Sequence, residues 1–283
     1  PIAVVENVPE EENNFVELDY NTKKCINLLI KDNGIGQLIF NQPEKRNAIS
    51  LGMWQAITTI SQQFSHDKDV RVVVVRGAGH ESFSAGADIS EFETNRSSEK
   101  ETINYNQTMV SALDALDHIN KPTIALIQGY CVGGGASIAL HCDIRIADET
   151  SRFAIPAAKL GLAYHWEDVQ LLTAIVGPAF AREILYTGRQ FTSEEAMQMG
   201  LINRVVSSTQ IADFAISYAD EIANNAPLTI KAIKQMVLET LKDSSDRNIP
   251  LMNELVDACF NSEDYQEGRS AFTEKRKPSF RGK

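Results

Sequence analysis

The sequence predicts a layered α/β fold followed by a helical C-terminal region, and three observations support that prediction. Short β-branched runs such as 70–76 and 123–127 are typical of buried strands. Each leads through a glycine-rich loop into a stretch with helical spacing, which is the order of elements in layered α/β cores. From about residue 209 the pattern is almost wholly helical. We therefore divide the chain into an acidic extension over 1–22, a core over 23–208 and a helical region over 209–283.

Turn and capping signals place the individual elements. The dipeptide Asn33-Gly34 separates apolar runs at 25–30 and 35–40, and it favours a tight hairpin between two strands. Ser50 is a suitable N-cap for a helix that extends to about Phe64. Further helices are predicted over 103–118, from the glycines at 133–135 through 141, and over 169–175, 178–186, 193–199 and 209–225. Further short strands are predicted over 143–147 and at 152–153.

Composition excludes several classes of function. The chain has 283 residues, enough to bury a core without disulfides or structural metals. Its 27 basic and 38 acidic residues give a net charge of −11, which argues against nucleic acids and anionic membranes as partners. No apolar run approaches the ~20 residues that span a bilayer, and the N-terminal residues lack the pattern of a leader peptide. The four cysteines lack CxxC spacing and indicate thiols in a reducing compartment, so we expect a cytoplasmic protein.

The common catalytic motifs are absent. There is no phosphate-binding loop and no spacing typical of a zinc or other metal site. Residues 135–139 resemble a serine nucleophile elbow, but Ser137 falls inside the predicted helix rather than on an exposed turn. The histidines form no constellation in the sequence: His141 lies within the alanine-rich helix, and His165 is a lone candidate beside aromatic residues.

Two junctions between a strand and a glycine-rich loop are more informative. One is 83–89 (FSAGADI) and the other is 129–135 (GYCVGGG). Small residues allow a ligand to approach the main chain, and unpaired amides at the start of a helix favour negative charge. If the two loops adjoin, one amide from each can hold an oxygen that becomes anionic, which is an oxyanion hole.

The same residues resemble a known family. The segment 83–89, the segment 121–125 (KPTIA) followed by Gly129 and the glycines of 133–135, and the run 142–147 (CDIRIA) are similar to ordered motifs of the crotonase, or enoyl-CoA hydratase/isomerase, superfamily. The resemblance extends from about residue 24 to 281. It implies a spiral of ββα units with a C-terminal helical trimerisation region, a homotrimer or a hexamer of two trimers, and a role in fatty acid metabolism. It also implies an acyl-CoA thioester as substrate and no cofactor besides the coenzyme A of that substrate.

The resemblance assigns roles to individual positions. The amides of Ala87 and Gly134 would hold the thioester carbonyl oxygen of the substrate. The CoA moiety would contact Lys45, Arg46, Ala48, Ala85, Asp88, Ile89, Phe272 and Lys275, the last two across a subunit boundary.

The chain departs from the family where a hydratase has its two carboxylates. Those positions hold Ser137 and Ala157, neither of which can act as a carboxylate base. Glu167 and Asp168 are tentative acid/base replacements, although acidic residues also suit the first turn of a helix. Hydration is the expected reaction, and the alternatives are another lyase, a decarboxylase, a hydrolase or a non-catalytic acyl-CoA-binding subunit. An RNA-binding member is disfavoured by the net charge of −11.

Overall fold

Ten strands are present in the part of the chain that the computed structural model describes, which is residues 25–30, 33–91, 95 and 97–283. The predicted acidic extension over 1–22 lies outside the described residues. In chain order the strands are β1 (Ile26–Ile30), β2 (Ile35–Phe40), β3 (Val72–Gly77), β4 (Ser82–Ser84), β5 (Thr123–Ile127), β6 (Tyr130–Val132), β7 (Ile144–Asp148), β8 (Arg152–Ala154), β9 (Phe191–Thr192) and β10 (Arg204–Val206).

Ten α-helices accompany these strands in the same described ranges. They are α1 (Leu51–His66), α2 (Glu99–Asp117), α3 (Gly134–Leu140), α4 (Ala157–Leu160), α5 (Trp166–Thr187), α6 (Ser193–Gln198), α7 (Ile211–Ala223), α8 (Pro227–Thr240), α9 (Ile249–Phe260) and α10 (Glu263–Glu274). The Ser50 hydroxyl accepts a hydrogen bond from the Met53 amide and caps α1, as its sequence predicts. The two helices predicted on either side of Gly177 are the two halves of α5, which kinks there because Gly177 has a φ of 75°.

The larger sheet has the strand order β1-β2-β3-β5-β7-β10. Strands β1 and β2 pair antiparallel, which confirms the predicted hairpin, and the other pairs are parallel. Alternate residues of a strand point to opposite faces. Val73 and Val75 therefore pack in the core with α1 and α2, whereas Val72 and Val74 pack against α7. Burial on both faces explains why this strand is an unbroken β-branched run.

The smaller sheet has the order β4-β6-β8-β9 and creates the spiral. Each of its first three strands directly follows a strand of the larger sheet, so that β3-β4, β5-β6 and β7-β8 form successive pairs, each followed by a helix. This repetition confirms the expected ββα architecture. Because β4 and β6 pair in parallel, the loops that follow them begin at the same edge of the sheet. The fold thus places the two glycine-rich junctions side by side.

The C-terminal helices differ in what they cover. Helix α7 packs on the outer face of the larger sheet, where Ile211, Ala215 and Ala219 are buried. The later helices carry large apolar side chains that are exposed, including Ile233, Val237, Phe260 and Phe272. The domain boundary at 208 and the trimerisation role of this region stay predictions. None of the described helices is both long enough and apolar enough to cross a membrane.

Candidate active site

The loop after β4 and the start of α3 are in direct contact. Gly86 has a φ of 96°, and a Cβ atom there would lie 2.8 Å from the Val132 carbonyl oxygen and 3.2 Å from the Gly134 nitrogen. A Cβ atom on Gly134 would lie 3.5 Å from the Ala87 nitrogen. Glycine is therefore required at position 86 for two reasons: the backbone has a positive φ, and two segments of the backbone approach each other closely there. The two predicted junctions form one site.

Hydrogen bonds fix the backbone on both sides of this contact. The Ile49 amide donates to the Gly86 carbonyl at 2.7 Å, the Asp88 amide donates to Ile49 at 2.9 Å, and the Gly133 amide donates to the Ala154 carbonyl at 2.9 Å. Within the ranges that the structure describes, the amides of Ala87 and Gly134 have no acceptor. Two neighbouring, rigidly held donors without an acceptor are what an oxyanion hole requires.

The loop over 43–48 lies beside these amides because of an asparagine that the sequence analysis did not single out. Arg46 and Asn47 both have left-handed backbone conformations, with φ of 52° and 53°. The buried Asn47 amide group donates to the carbonyl oxygens of Ala78 at 3.0 Å and Ser82 at 2.7 Å, which stabilises that conformation. The tolerance of asparagine for left-handed geometry is the only signal that the sequence offers. The Arg46 carbonyl oxygen in turn accepts from the Ala85 amide at 2.9 Å, so the loop is tied to the oxyanion segment.

Charged side chains of this loop meet the segment after β4. Lys45 Nζ lies 2.8 Å from Asp88 Oδ2, and the Arg46 guanidinium lies 5.3 Å from the centre of the Tyr130 ring. Burial raises the pKa of Asp88, but hydrogen bonds from Lys45 and Ser90 outweigh it and hold that pKa below its usual value. Lys45 is half exposed, which leaves its ammonium group accessible to an anion.

The other predicted CoA contacts differ in exposure. Ala48 is buried at the end of the loop over 43–48, and Ile89 is 70% exposed in the turn that follows Asp88. Phe272 is 88% exposed near the end of α10, and Lys275 caps that helix in a left-handed conformation. The contact of Phe272 and Lys275 with a neighbouring subunit's ligand stays a prediction.

Ser137 lies one helical turn from Gly134 and is part of a buried polar cluster. Its Oγ is 2.5 Å from the Tyr164 hydroxyl and 3.2 Å from Asp168 Oδ2. Burial raises the pKa of Tyr164, which keeps this hydroxyl protonated. Because the Asp168 carboxylate can only accept, the Ser137 hydroxyl donates to it and receives the hydrogen bond of Tyr164.

The expectation that His141 belongs to no constellation was wrong. Its Nε2 lies 3.0 Å from Asp168 Oδ1, and its Nδ1 lies 2.7 Å from Asp117 Oδ2. Burial lowers the pKa of His141, but the hydrogen bonds to these two carboxylates raise it to about 9. The sequence conceals this cluster because its carboxylates come from α2 and α5, 24 and 27 residues away along the chain.

The two candidate acid/base residues have different surroundings. Glu167 and Asp168 are neighbours in the first turn of α5, but successive helical residues point about 100° apart. Asp168 is 2% exposed and contacts Ser137, whereas Glu167 is exposed. Ala157, the other position where the family pattern has a carboxylate, begins α4 and packs with its methyl group against the core.

Comparison with known proteins identifies the family. The sequence model of the enoyl-CoA hydratase/isomerase family matches residues 31–283. The chain belongs to this family. It is 32% identical over 250 residues to the short-chain-enoyl-CoA hydratase of Clostridium acetobutylicum, covering 88% of this chain and 95% of that one. It is 35% identical over 251 residues to the carnitinyl-CoA dehydratase of Proteus mirabilis, covering 87% and 95%.

A solved structure gives the same result. The crystal structure of an enoyl-CoA hydratase/carnithine racemase from Magnetospirillum magneticum matches with a TM-score of 0.87 and 33% identity, over 97% of this chain and 100% of that one. The predicted crotonase superfamily and its α/β spiral are thus confirmed. The two positions where the resemblance implies carboxylates hold Ser137 and Ala157.

Proposed function

We propose that this chain is an acyl-CoA thioester enzyme of the hydratase type, which stabilises a thioester enolate between the amides of Ala87 and Gly134. The observation that carries the proposal is the pair of acceptor-free amides on two adjoining, hydrogen-bonded loops. Removing one such donor typically costs 10²–10³ in rate, so two of them supply a large share of the catalysis. The relatives named as enoyl-CoA hydratases and dehydratases support an acyl-CoA substrate.

The CoA moiety is proposed to lie along the loop over 43–48. Lys45 and Arg46 offer positive charge to its phosphates, and their position beside Ala85 and Asp88 is continuous with the oxyanion hole. The local positive charge of these two residues allows the protein to bind an anionic substrate although its net charge is −11. Ala48, Ile89, Phe272 and Lys275 complete the proposed contacts, the last two from a neighbouring subunit.

Asp168 is the better candidate for the acid/base group. Its carboxylate reaches the active site through the Ser137 hydroxyl at 3.2 Å, whereas Glu167 is exposed on another face of α5. In the proposed reaction the Ser137 oxygen accepts a proton from the substrate or from water while its own proton passes to Asp168 Oδ2. The reverse transfer delivers a proton to the enolate, so no cofactor is needed.

A second candidate function follows from the positions that lack carboxylates. A decarboxylase, a hydrolase or another lyase draws charge from its substrate and needs fewer protein carboxylates than hydration does. With Ser137 and Ala157 at the two positions, such a reaction fits the site through the same oxyanion hole. A subunit that binds acyl-CoA without turnover is the remaining alternative.

Assembly and location are proposed on separate grounds. The exposed apolar side chains of α8–α10 support a homotrimer or a hexamer. The buried thiols of Cys131 and Cys142 support a reducing compartment such as the cytoplasm.

Crotonyl-CoA hydration, followed by the loss of enoyl absorbance, tests the proposed function. We expect turnover by the wild-type protein and a fall of at least ~10²-fold in kcat for Asp168→Asn. Glu167→Gln should fall much less, because this carboxylate does not contact Ser137. Tight CoA binding without turnover would refute hydration and leave the second candidate or the non-catalytic acyl-CoA-binding subunit.

A further inference from the structure

A buried network of hydrogen bonds extends from Ser137, at the candidate active site, to His141 at the C-terminal end of α3. It begins at the Tyr164 and Ser137 hydroxyls and continues to Asp168, then to His141 and finally to Asp117. The four links measure 2.5, 3.2, 3.0 and 2.7 Å. Every link joins groups that can give or accept a proton, and both oxygens of Asp168 and Oδ2 of Asp117 take part.

The direction of each hydrogen bond follows from the partners. Both ring nitrogens of His141 face a carboxylate. Burial lowers the pKa of His141, but these two hydrogen bonds raise it to about 9, so at neutral pH the ring is an imidazolium that donates from both nitrogens. Asp168 accepts from His141 on one oxygen and from Ser137 on the other. The hydrogen bond from His141 thus orients the Asp168 carboxylate so that its second oxygen faces the Ser137 hydroxyl.

Stability alone does not account for this arrangement. The side chains of His141 and Asp168 are only 6% and 3% exposed, and removing charges from water costs several kcal/mol per ion. Apolar residues of similar volume often serve a protein core as well or better. Buried charges that contact an active site are typical of functional positions.

The network of hydrogen bonds borders a cavity that Asp117, His141 and Asp168 all line. Asp117 is 30% exposed at its side chain and borders a cavity of ≈ 110 Å³ next to α2 and α5. The titratable groups around His141 in this cavity are Asp114, Asp117, His165, Glu167 and Asp168. Of these, Asp117 and Asp168 contact the ring of His141.

We propose that His141 and Asp117 are positioning residues that hold the Asp168 carboxylate in place and direct its second oxygen at Ser137. The proposal rests on the proposed function, because it explains how Asp168 is held in place to act as the base that positions 137 and 157 lack. The hydrogen bond to Asp117 favours the protonated form of His141, and His141 in turn donates a hydrogen bond that orients Asp168. Neither of these two residues needs to touch the substrate.

The exchange of hydrogen for deuterium next to the thioester of butyryl-CoA, measured by NMR in heavy water, tests this role. In Asp117→Asn we expect the exchange rate at pH 8 to fall at least 10-fold while KM for butyryl-CoA stays within twofold. Because Asp117 raises the pKa of His141, the loss of rate at high pH should begin at least one pH unit lower in the variant. Asp114→Asn is the matched control, since Asp114 lies one turn earlier on α2 and pairs with the exposed His118.

A second variant separates positioning from folding. Asp117→Ala leaves space beside the cavity, and added formate should restore at least a fifth of the wild-type exchange rate. A fall in rate by the same factor at every pH, without rescue by formate, would overturn the positioning role. So would a rate and pH profile of Asp117→Asn equal to those of the wild type. A wild-type protein that binds butyryl-CoA without any exchange would instead overturn the proposed function, and the positioning role with it.

Discussion

The Asp168 carboxylate lies 3.2 Å from the Ser137 hydroxyl, and Ser137 lies one helical turn after Gly134 in α3. Helix α5 thus brings a carboxylate to a position where α3 itself offers only a hydroxyl. A serine can relay a proton to a base that it contacts, although it cannot serve as that base. In the proposed mechanism, Asp168 and Ser137 together therefore replace a carboxylate at position 137.

The proposed oxyanion hole predicts different effects for two substitutions at Gly134. Gly134→Pro removes the amide hydrogen at the first position of α3, where proline is otherwise well tolerated. We expect kcat with crotonyl-CoA to fall at least ~10²-fold. Gly134→Ala keeps the amide and places a Cβ atom 3.1 Å from the Trp54 ring. Its rate should therefore stay closer to that of the wild type, and equal losses in both variants would argue against the amide.

A carboxylate restored at position 157 should increase hydration. Ala157 begins α4 at the position that follows the proline of the family pattern, and its side chain is partly exposed. A positioned acid or base contributes 10²–10⁴-fold, so we expect Ala157→Glu to raise crotonyl-CoA turnover at least ~10-fold. Ala157→Gln has nearly the same shape without the charge and should show no gain. Equal rates in both variants would show that this position does not reach the substrate.

Asp88 should stabilise the fold at neutral pH and lose that effect in acid. It accepts hydrogen bonds from Lys45 and Ser90, which hold its pKa below the usual value. A carboxylate whose pKa is lower in the folded than in the unfolded protein stabilises the native state at pH values above its unfolded pKa of about 4. This stabilisation is lost as the pH falls through the pKa of the folded state. We expect Asp88→Asn to lower the free energy of unfolding by about 1–3 kcal/mol at pH 7. Urea unfolding near pH 3 should show a smaller difference, and a constant difference would contradict this account.

His141 should have the opposite pH dependence. Its pKa is raised to about 9, so its contribution to stability is complete below the unfolded value of about 6.5 and is lost as the pH rises through 9. The wild-type free energy of unfolding should fall by up to about 3 kcal/mol over that interval. His141→Gln lacks this titration, so its urea midpoint should change less between pH 6.5 and 9. Parallel curves for the two proteins would rule out the imidazolium.

Local signals were sufficient to predict most of the fold. Hairpin chemistry at Asn33-Gly34, the cap at Ser50 and the buried strand run 70–76 each have a cause within a few residues. The strands at 82–84 and 130–132 were not predicted, because three-residue strands in glycine-rich segments carry too little periodicity.

The site was only partly predictable for a related reason. The glycine-rich composition indicated the two loops because a close approach of backbone segments requires small residues, and the family resemblance then singled out Ala87 and Gly134 within them. The sequence gives no comparable signal for the cluster of Asp117, His141 and Asp168, since its members meet only when α2, α3 and α5 pack together. The role of Asn47 was hidden in the same way, because its partners lie 31 and 35 residues along the chain.

A crystal structure with bound butyryl-CoA tests the central claim most directly. We predict that the thioester carbonyl oxygen lies about 2.7–3.1 Å from the amide nitrogens of both Ala87 and Gly134. The carbon next to the thioester should then face the Ser137 hydroxyl. A thioester oxygen bound elsewhere, with these two amides left to solvent, would contradict the proposed function.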